Sequence, residues 1–85
     1  MANNQTTVPG VTPYLNRESP IKATELGVPD EITVIFKNGA NTRYVYTAAS
    51  CGKHNVRIMK SLALSGFGLA SFIYHTVRFQ YASRQ

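Results

Sequence analysis

The residues of this chain whose types and spacing could do chemistry are cations and aromatic rings. Lys53, Arg57 and Lys60 recur at i, i+4 and i+7, which sets three positive charges in one stripe of a helix. With no acid beside it, such a stripe is either an edge for phosphate or a solvated face. Arg43, Tyr44 and Tyr46 interleave a guanidinium with two rings on one strand, and the period of two puts both rings on one side. Rings beside cations can stack nucleobases. Equally, both can pack beneath a helix or subunit with their hydroxyls bonded. Tyr74, His75 and Arg78 lie off the apolar stripe Leu69, Phe72, Ile73 and Val77, where they complete an anionic pocket or form an exposed side. The expected binding set is Arg43, Lys53, Arg57, Lys60 and Arg78 for phosphate, with Tyr44, Tyr46 and Tyr74 for base stacking.

Other chemistries find less support. Cys51, His54 and His75 are the only soft or imidazole ligands, and their spacing has no zinc pattern. Cys51 near a helix start beside Lys53 and His54 suggests a depressed thiol pKa, but no carboxylate orients a base. Two histidines and a lysine meet only a loose criterion for acid–base cleavage of RNA. Gly66-Phe67-Gly68 lacks the spacing and lysine of a phosphate loop; it reads as a helix corner with Phe67 plugging the core. No catalytic residue, metal or cofactor is expected.

The charge distribution agrees with an anionic partner. The 85 residues carry 9 Lys+Arg against 4 Asp+Glu, a net charge of +5. All four acids, Glu18, Glu25, Asp30 and Glu31, precede residue 32, where the cations are Arg17 and Lys22. From Ile32 onward there are no acids, while Lys37, Arg43, Lys53, Arg57, Lys60, Arg78 and Arg84 remain. Ordinary surfaces mix both signs, so this body is expected to attract a phosphate-bearing or acidic partner. Metal-dependent nuclease chemistry is disfavoured because its ligands are carboxylates.

These residues must be positioned by one small domain, since the length excludes separate cofactor and substrate domains. A single Cys51 cannot form an internal disulfide, and neither a signal peptide nor an 18-residue apolar run is present; the expectation is a cytoplasmic protein with no membrane segment. Residues 1–13, with Pro9, Gly10 and Pro13, read as a flexible arm. Residues 14–31 read as a connector, in which Ser19, Pro20 and Gly27 bracket one or two helical turns or an irregular stretch. Residues 32–85 then form a single α+β domain.

Residues 32–37 and 42–47 are rich in β-branched and aromatic types, and Asn38-Gly39 between them is a strong hairpin signal. A turn of two residues or a loop of four gives the same faces: Ile32, Val34, Phe36, Arg43 and Val45 on one, Thr33, Ile35, Lys37, Thr42, Tyr44 and Tyr46 on the other. A lone ribbon is unstable in water, so another strand, a subunit or a ligand must cover the second face. Val56, Met59 and Ala63 predict a helix over 53–64, and Leu69 through Tyr81 predict another to about Ala82. The expected fold is α+β: an antiparallel hairpin or small sheet followed by two C-terminal helices, with self-association compensating for a small core.

Residues 34–39 (VIFKNG), Tyr44-Val45-Tyr46 and residues 65–73 (SGFGLASFI) resemble a KTSC-type domain, a module found fused to some lysyl-tRNA synthetases and alone in bacteria and phages. The match spans about 32–82 and departs from the family in its longer basic helix and its leader. The resemblance implies an α+β architecture and, for a short stand-alone member, a phage origin; it transfers no catalytic residues.

Together these features predict a basic, non-enzymatic, homo-oligomeric binding protein for a nucleotide signal or nucleic acid, of the kind a phage could use against host defence. A protein-interaction or virion module docking on an acidic host protein is the alternative. A small nuclease is a third.

Overall fold

The computed structural model describes residues 10–37, 39 and 42–85. Five antiparallel strands follow in chain order as a meander: β1 Val11–Pro13, β2 Ile21–Glu25, β3 Glu31–Phe36, β4 Arg43–Thr47 and β5 Ser83–Arg84. Between β4 and β5 run α1 Ala48–Cys51, α2 Lys53–Ser65, α3 Leu69–Phe72 and a π-helical turn, Ile73–Val77. This is the expected α+β arrangement of a small sheet followed by C-terminal helices.

Two stretches assigned to leader and connector belong to the sheet. Residues 1–9 of the expected arm lie outside the described residues, but Val11–Pro13 pairs with β2. In place of helical turns, residues 21–25 form β2, between β1 and β3. The Ser19 hydroxyl accepts the Ile21 N–H at 3.1 Å. A serine before a helix makes the same kind of bond, so local chemistry does not separate the two outcomes. The hairpin's need for a further strand decides it, and Ile21 and Ala23 are buried.

The register of β3 and β4 differs from both expected turns. Ile32 faces Tyr46, Val34 faces Tyr44 and Ile35 faces Arg43, while Phe36 N–H donates to Thr42 O at 2.8 Å. Asn38 of the expected turn lies outside the described residues. Relative to either expected turn the pairing is displaced by one residue, which exchanges the faces of β4. Tyr44 and Tyr46 therefore join Ile32, Val34 and Phe36, whereas Arg43 and Val45 join Thr33 and Ile35. The helices cover the first of these faces. Its core contains Ile21, Ile32, Val34 and Tyr46 from the sheet with Val56, Met59, Ala63, Leu69, Ile73 and Val77 from the helices.

Thr47 and Ser50 form a reciprocal capping box that starts α1. The predicted helix over 53–64 is α2, ending in the left-handed Gly66 (φ 83°), whose N–H reaches Leu62 O. A Cβ on Gly66 would lie 2.6 Å from Leu15 Cβ, so this corner also needs glycine for space. Phe67 is 69% exposed and does not plug the core. Tyr14 takes that role: it is buried beneath the corner, and its hydroxyl accepts the Leu69 N–H at 3.2 Å.

The last helix stops earlier than predicted. It widens after Phe72 into the π-helical turn and ends at Val77, with the Arg78 N–H donating to Ile73 O. Beyond it the chain is extended along the edge of β4, with Ala82 N–H donating to Val45 O and residues Arg43 and Gln85 exchanging two bonds. The open edge of β4 gives residues 82–85 ladder partners in place of further helical bonds.

Candidate functional site

The strand face that carries Tyr44 and Tyr46 and the π-helical turn enclose a cleft of about 640 Å³. Its sheet wall is Phe36, Thr42, Tyr44 and Arg84, and its helical wall includes Ser71, Tyr74, His75, Arg78 and Phe79. Tyr81 spans the two, with its ring edge-on to Tyr44 at 5.1 Å and to Tyr46 at 6.2 Å. Phe36 meets Tyr44 edge-on at 5.2 Å. Among the described residues, no carboxylate lines the cleft.

Two guanidiniums sit over rings in this cleft. Arg78 lies 4.4 Å from the Tyr74 centroid and 5.1 Å from that of Phe79. Arg84, brought opposite Tyr44 by the β4–β5 register, lies 5.9 Å from the Tyr44 ring. A guanidinium held face-on to a ring keeps its N–H edge free, and that edge matches phosphate or carboxylate oxygens. Tyr74 and Phe79 are exposed at the rim.

The cleft unites Tyr44, Tyr74 and Arg78 from the expected binding set, together with Tyr46 in a different role. Tyr46 is 1% exposed, so its ring cannot stack on a base. Instead its hydroxyl donates to Arg78 O at 3.1 Å and ties sheet to helix. Burial, followed by the neighbouring Tyr44, Cys51 and Tyr81, pushes the phenol pKa well above its ordinary value, so the phenol remains a donor.

The other expected phosphate ligands lie elsewhere. Arg43 is on the opposite face, paired with Glu25 across the sheet, the one ion pair among the described residues. Lys53, Arg57 and Lys60 are on α2 and do not line the cleft. Lys60 donates to Val28 O at 2.7 Å, leaving Lys53 and Arg57 as the exposed part of the stripe. The local period of a helix groups these three correctly but says nothing of their distance from Arg78.

Sequence reasoning missed Arg84, Phe79, Tyr81 and Phe36 as cleft residues. For Phe79, Tyr81 and Arg84 the signal available is the density of rings and arginines after residue 71, whose spacing also suits a continued helix. Cys51 is buried, and burial raises its thiol pKa against a smaller lowering by the Ser50 hydrogen bond, the opposite of an activated nucleophile. Among the described residues, no group of three or more His, Cys, Asp or Glu is placed to hold a metal ion, and no helix is long and apolar enough to cross a membrane.

No family model, curated protein or solved structure matches this chain.

Proposed function

We propose that this protein is a non-enzymatic binding protein whose cleft takes a phosphate-bearing ligand with an aromatic base, a nucleotide signal or a nucleic acid. One observation carries the proposal: Arg78 and Arg84, each over a ring, share an aromatic cleft that no carboxylate lines among the described residues. Bases have faces for Tyr74 and Phe79 to stack on, and phosphate oxygens suit the guanidinium edges. The volume is within the range of small-molecule sites, about 300–1,000 Å³. His75 lines the cleft without His54, so paired-histidine cleavage has no support there.

Such a protein would act in the cytoplasm. If the KTSC-like stretches reflect descent, a phage protein that sequesters a host nucleotide signal or blocks a nucleic-acid-guided defence complex fits this chemistry. A second role is supported by a separate observation. Lys53 and Arg57 are exposed on α2 and lie outside the cleft, where they can dock an acidic protein partner.

Thermal melting of the full chain with nucleotides, short DNA and short RNA tests the proposal. A concentration-dependent rise in Tm, lost in Arg78→Ala and kept in Lys53→Ala, is expected. Absence of any shift, with capture of one acidic protein that requires Lys53 and Arg57, would establish the docking role instead.

A further inference from the structure

We infer that the cleft takes one stretch of a single-stranded nucleic acid, and that the strand leaves it past Pro20 and Phe36 onto Arg17 and Lys37. The inference rests on the cleft being a nucleotide site, as proposed above, and goes further in naming the form of the ligand, a strand rather than a free nucleotide.

Pro20, Phe36 and Thr42, which line the cleft, stand at the start of β2, the end of β3 and the start of β4, all at one end of the antiparallel sheet. There the Lys37 N–H donates to Pro20 O at 2.9 Å, and the Lys37 ammonium donates to Arg17 O. These two bonds hold both cationic residues beside the sheet wall, although neither lines the cleft itself. Both are exposed, and neither makes an ion pair among the described residues. An ammonium has three donors, so the bond to Arg17 O leaves others for phosphate.

Positive charge is therefore present inside the cleft, on Arg78 and Arg84, and again just outside its Pro20–Phe36 end. A free nucleotide held by Arg78 or Arg84 gives the outer cations nothing to bind. A strand carries a phosphate at every nucleotide, so it presents further phosphates where it leaves. Tyr74 and Phe79, exposed at the rim, need a free base face, which a duplex keeps stacked between neighbours. Of the acids, Glu25 pairs with Arg43 on the opposite face, and Asp30 and Glu31 lie at the other end of β3. Glu18 follows Arg17 in the chain and opposes phosphate there.

Calorimetric titration of the full chain tests this with adenosine and uridine monophosphates, cyclic di-AMP, ten-nucleotide strands of uridine and of thymidine, and a ten-base-pair DNA duplex. At least one strand should bind about tenfold or more tightly than any of the small nucleotides. Arg17→Ala with Lys37→Gln should weaken that strand about tenfold and flatten its salt dependence, a far larger loss than the monophosphates show. The bond from Lys37 is to a main-chain carbonyl, and glutamine keeps a donor for it, so this variant should fold; circular dichroism and Tm check that it does. Arg78→Ala should weaken strands and small nucleotides alike. Lys53→Ala with Arg57→Ala removes the same charge from α2 and should leave strand binding as it is. Glu18→Gln should tighten the strand. The uridine and thymidine arms identify whether RNA or DNA is preferred.

Small nucleotides binding as tightly as either strand, with no loss in the Arg17 and Lys37 variant, would overturn the strand assignment while leaving the nucleotide site intact. An equal loss in the Lys53 and Arg57 variant would overturn the path past Pro20 and Phe36. A duplex that binds tightest would overturn the single-stranded form. No binding by any of these compounds would overturn both this assignment and the nucleotide site itself.

Discussion

Tyr46 donates its phenolic hydrogen to the main-chain carbonyl of Arg78 at 3.1 Å, across 32 residues of sequence. Arg78 has φ 29° and ψ −94°, a conformation unfavourable for a residue with a Cβ. A buried side chain of the sheet thus helps hold a strained residue at the end of the π-helical turn, and that residue presents its guanidinium over Tyr74. Strain of this kind costs about 1–3 kcal/mol and persists only where the surroundings enforce it.

The pair can be separated by substitution. Tyr46→Phe should destabilise by about 1 kcal/mol, the net worth of one hydrogen bond, read from urea unfolding. Arg78→Gly should be more stable than Arg78→Ala, because glycine accepts the positive φ and alanine does not. Both variants should lose ligand. Equal stability of the two would show that the Arg78 backbone is not strained.

Thr24 is 1% exposed, and its hydroxyl has no hydrogen-bond partner among the described residues. Valine has nearly the same shape without the buried polar group. Thr24→Val should therefore stabilise the fold by about 1–2 kcal/mol, seen as a higher urea midpoint at unchanged m-value.

At the helix corner, Gly66→Ala should be destabilising for two reasons: a φ of 83° and a Cβ placed 2.6 Å from Leu15 Cβ. A loss of about 1–3 kcal/mol is expected. Because the closest contact is with Leu15 Cβ, Leu15→Ala should fail to rescue it. A full rescue by Leu15→Ala would locate the clash farther along the leucine side chain.

Stability should decline on the alkaline side. The Tyr46 phenol is raised from 10.0 chiefly by burial, and the Cys51 thiol is raised from 9.0 chiefly by burial. Between the unfolded and folded values the unfolded chain has lost these protons and the native chain retains them, so unfolding is favoured as pH rises. Their stabilising contribution is complete below about pH 9 and fades as the pH climbs through the folded values. Unfolding midpoints measured from pH 8 upward should fall less steeply in Tyr46→Phe and in Cys51→Ala than in the wild type.

The Glu25–Arg43 pair lies on the face away from the cleft and is partly exposed. Arg43→Met should cost no more than about 1 kcal/mol and should leave ligand affinity unchanged. A large loss of affinity in that variant would restore Arg43 to the binding site.

Much of the architecture is legible in local pattern. The period-two strands at 32–37 and 42–47 and the three-four spacing of Val56, Met59 and Ala63 depend on short-range backbone geometry, so both the hairpin and α2 can be read directly. The chain's division into an acidic leader and an acid-free body is likewise a property of the sequence alone. Tertiary pairing decided the rest. A one-residue displacement exchanged the faces of β4, sending Arg43 away from the helices and Tyr44 and Tyr46 toward them. Ser19-Pro20 suits a helix start or a turn into a strand, and only the open edge of β3 made it the latter. The helix ends at Val77 rather than near Ala82, and the edge of β4 pairs with residues 82–85, setting Arg84 beside Tyr44. The sequence by itself determined the hairpin strands, α2 and the cationic body, because propensity and charge are local. Which cations meet in one cleft depended on register and strand partners, whose energy comes from contacts between residues far apart in the chain.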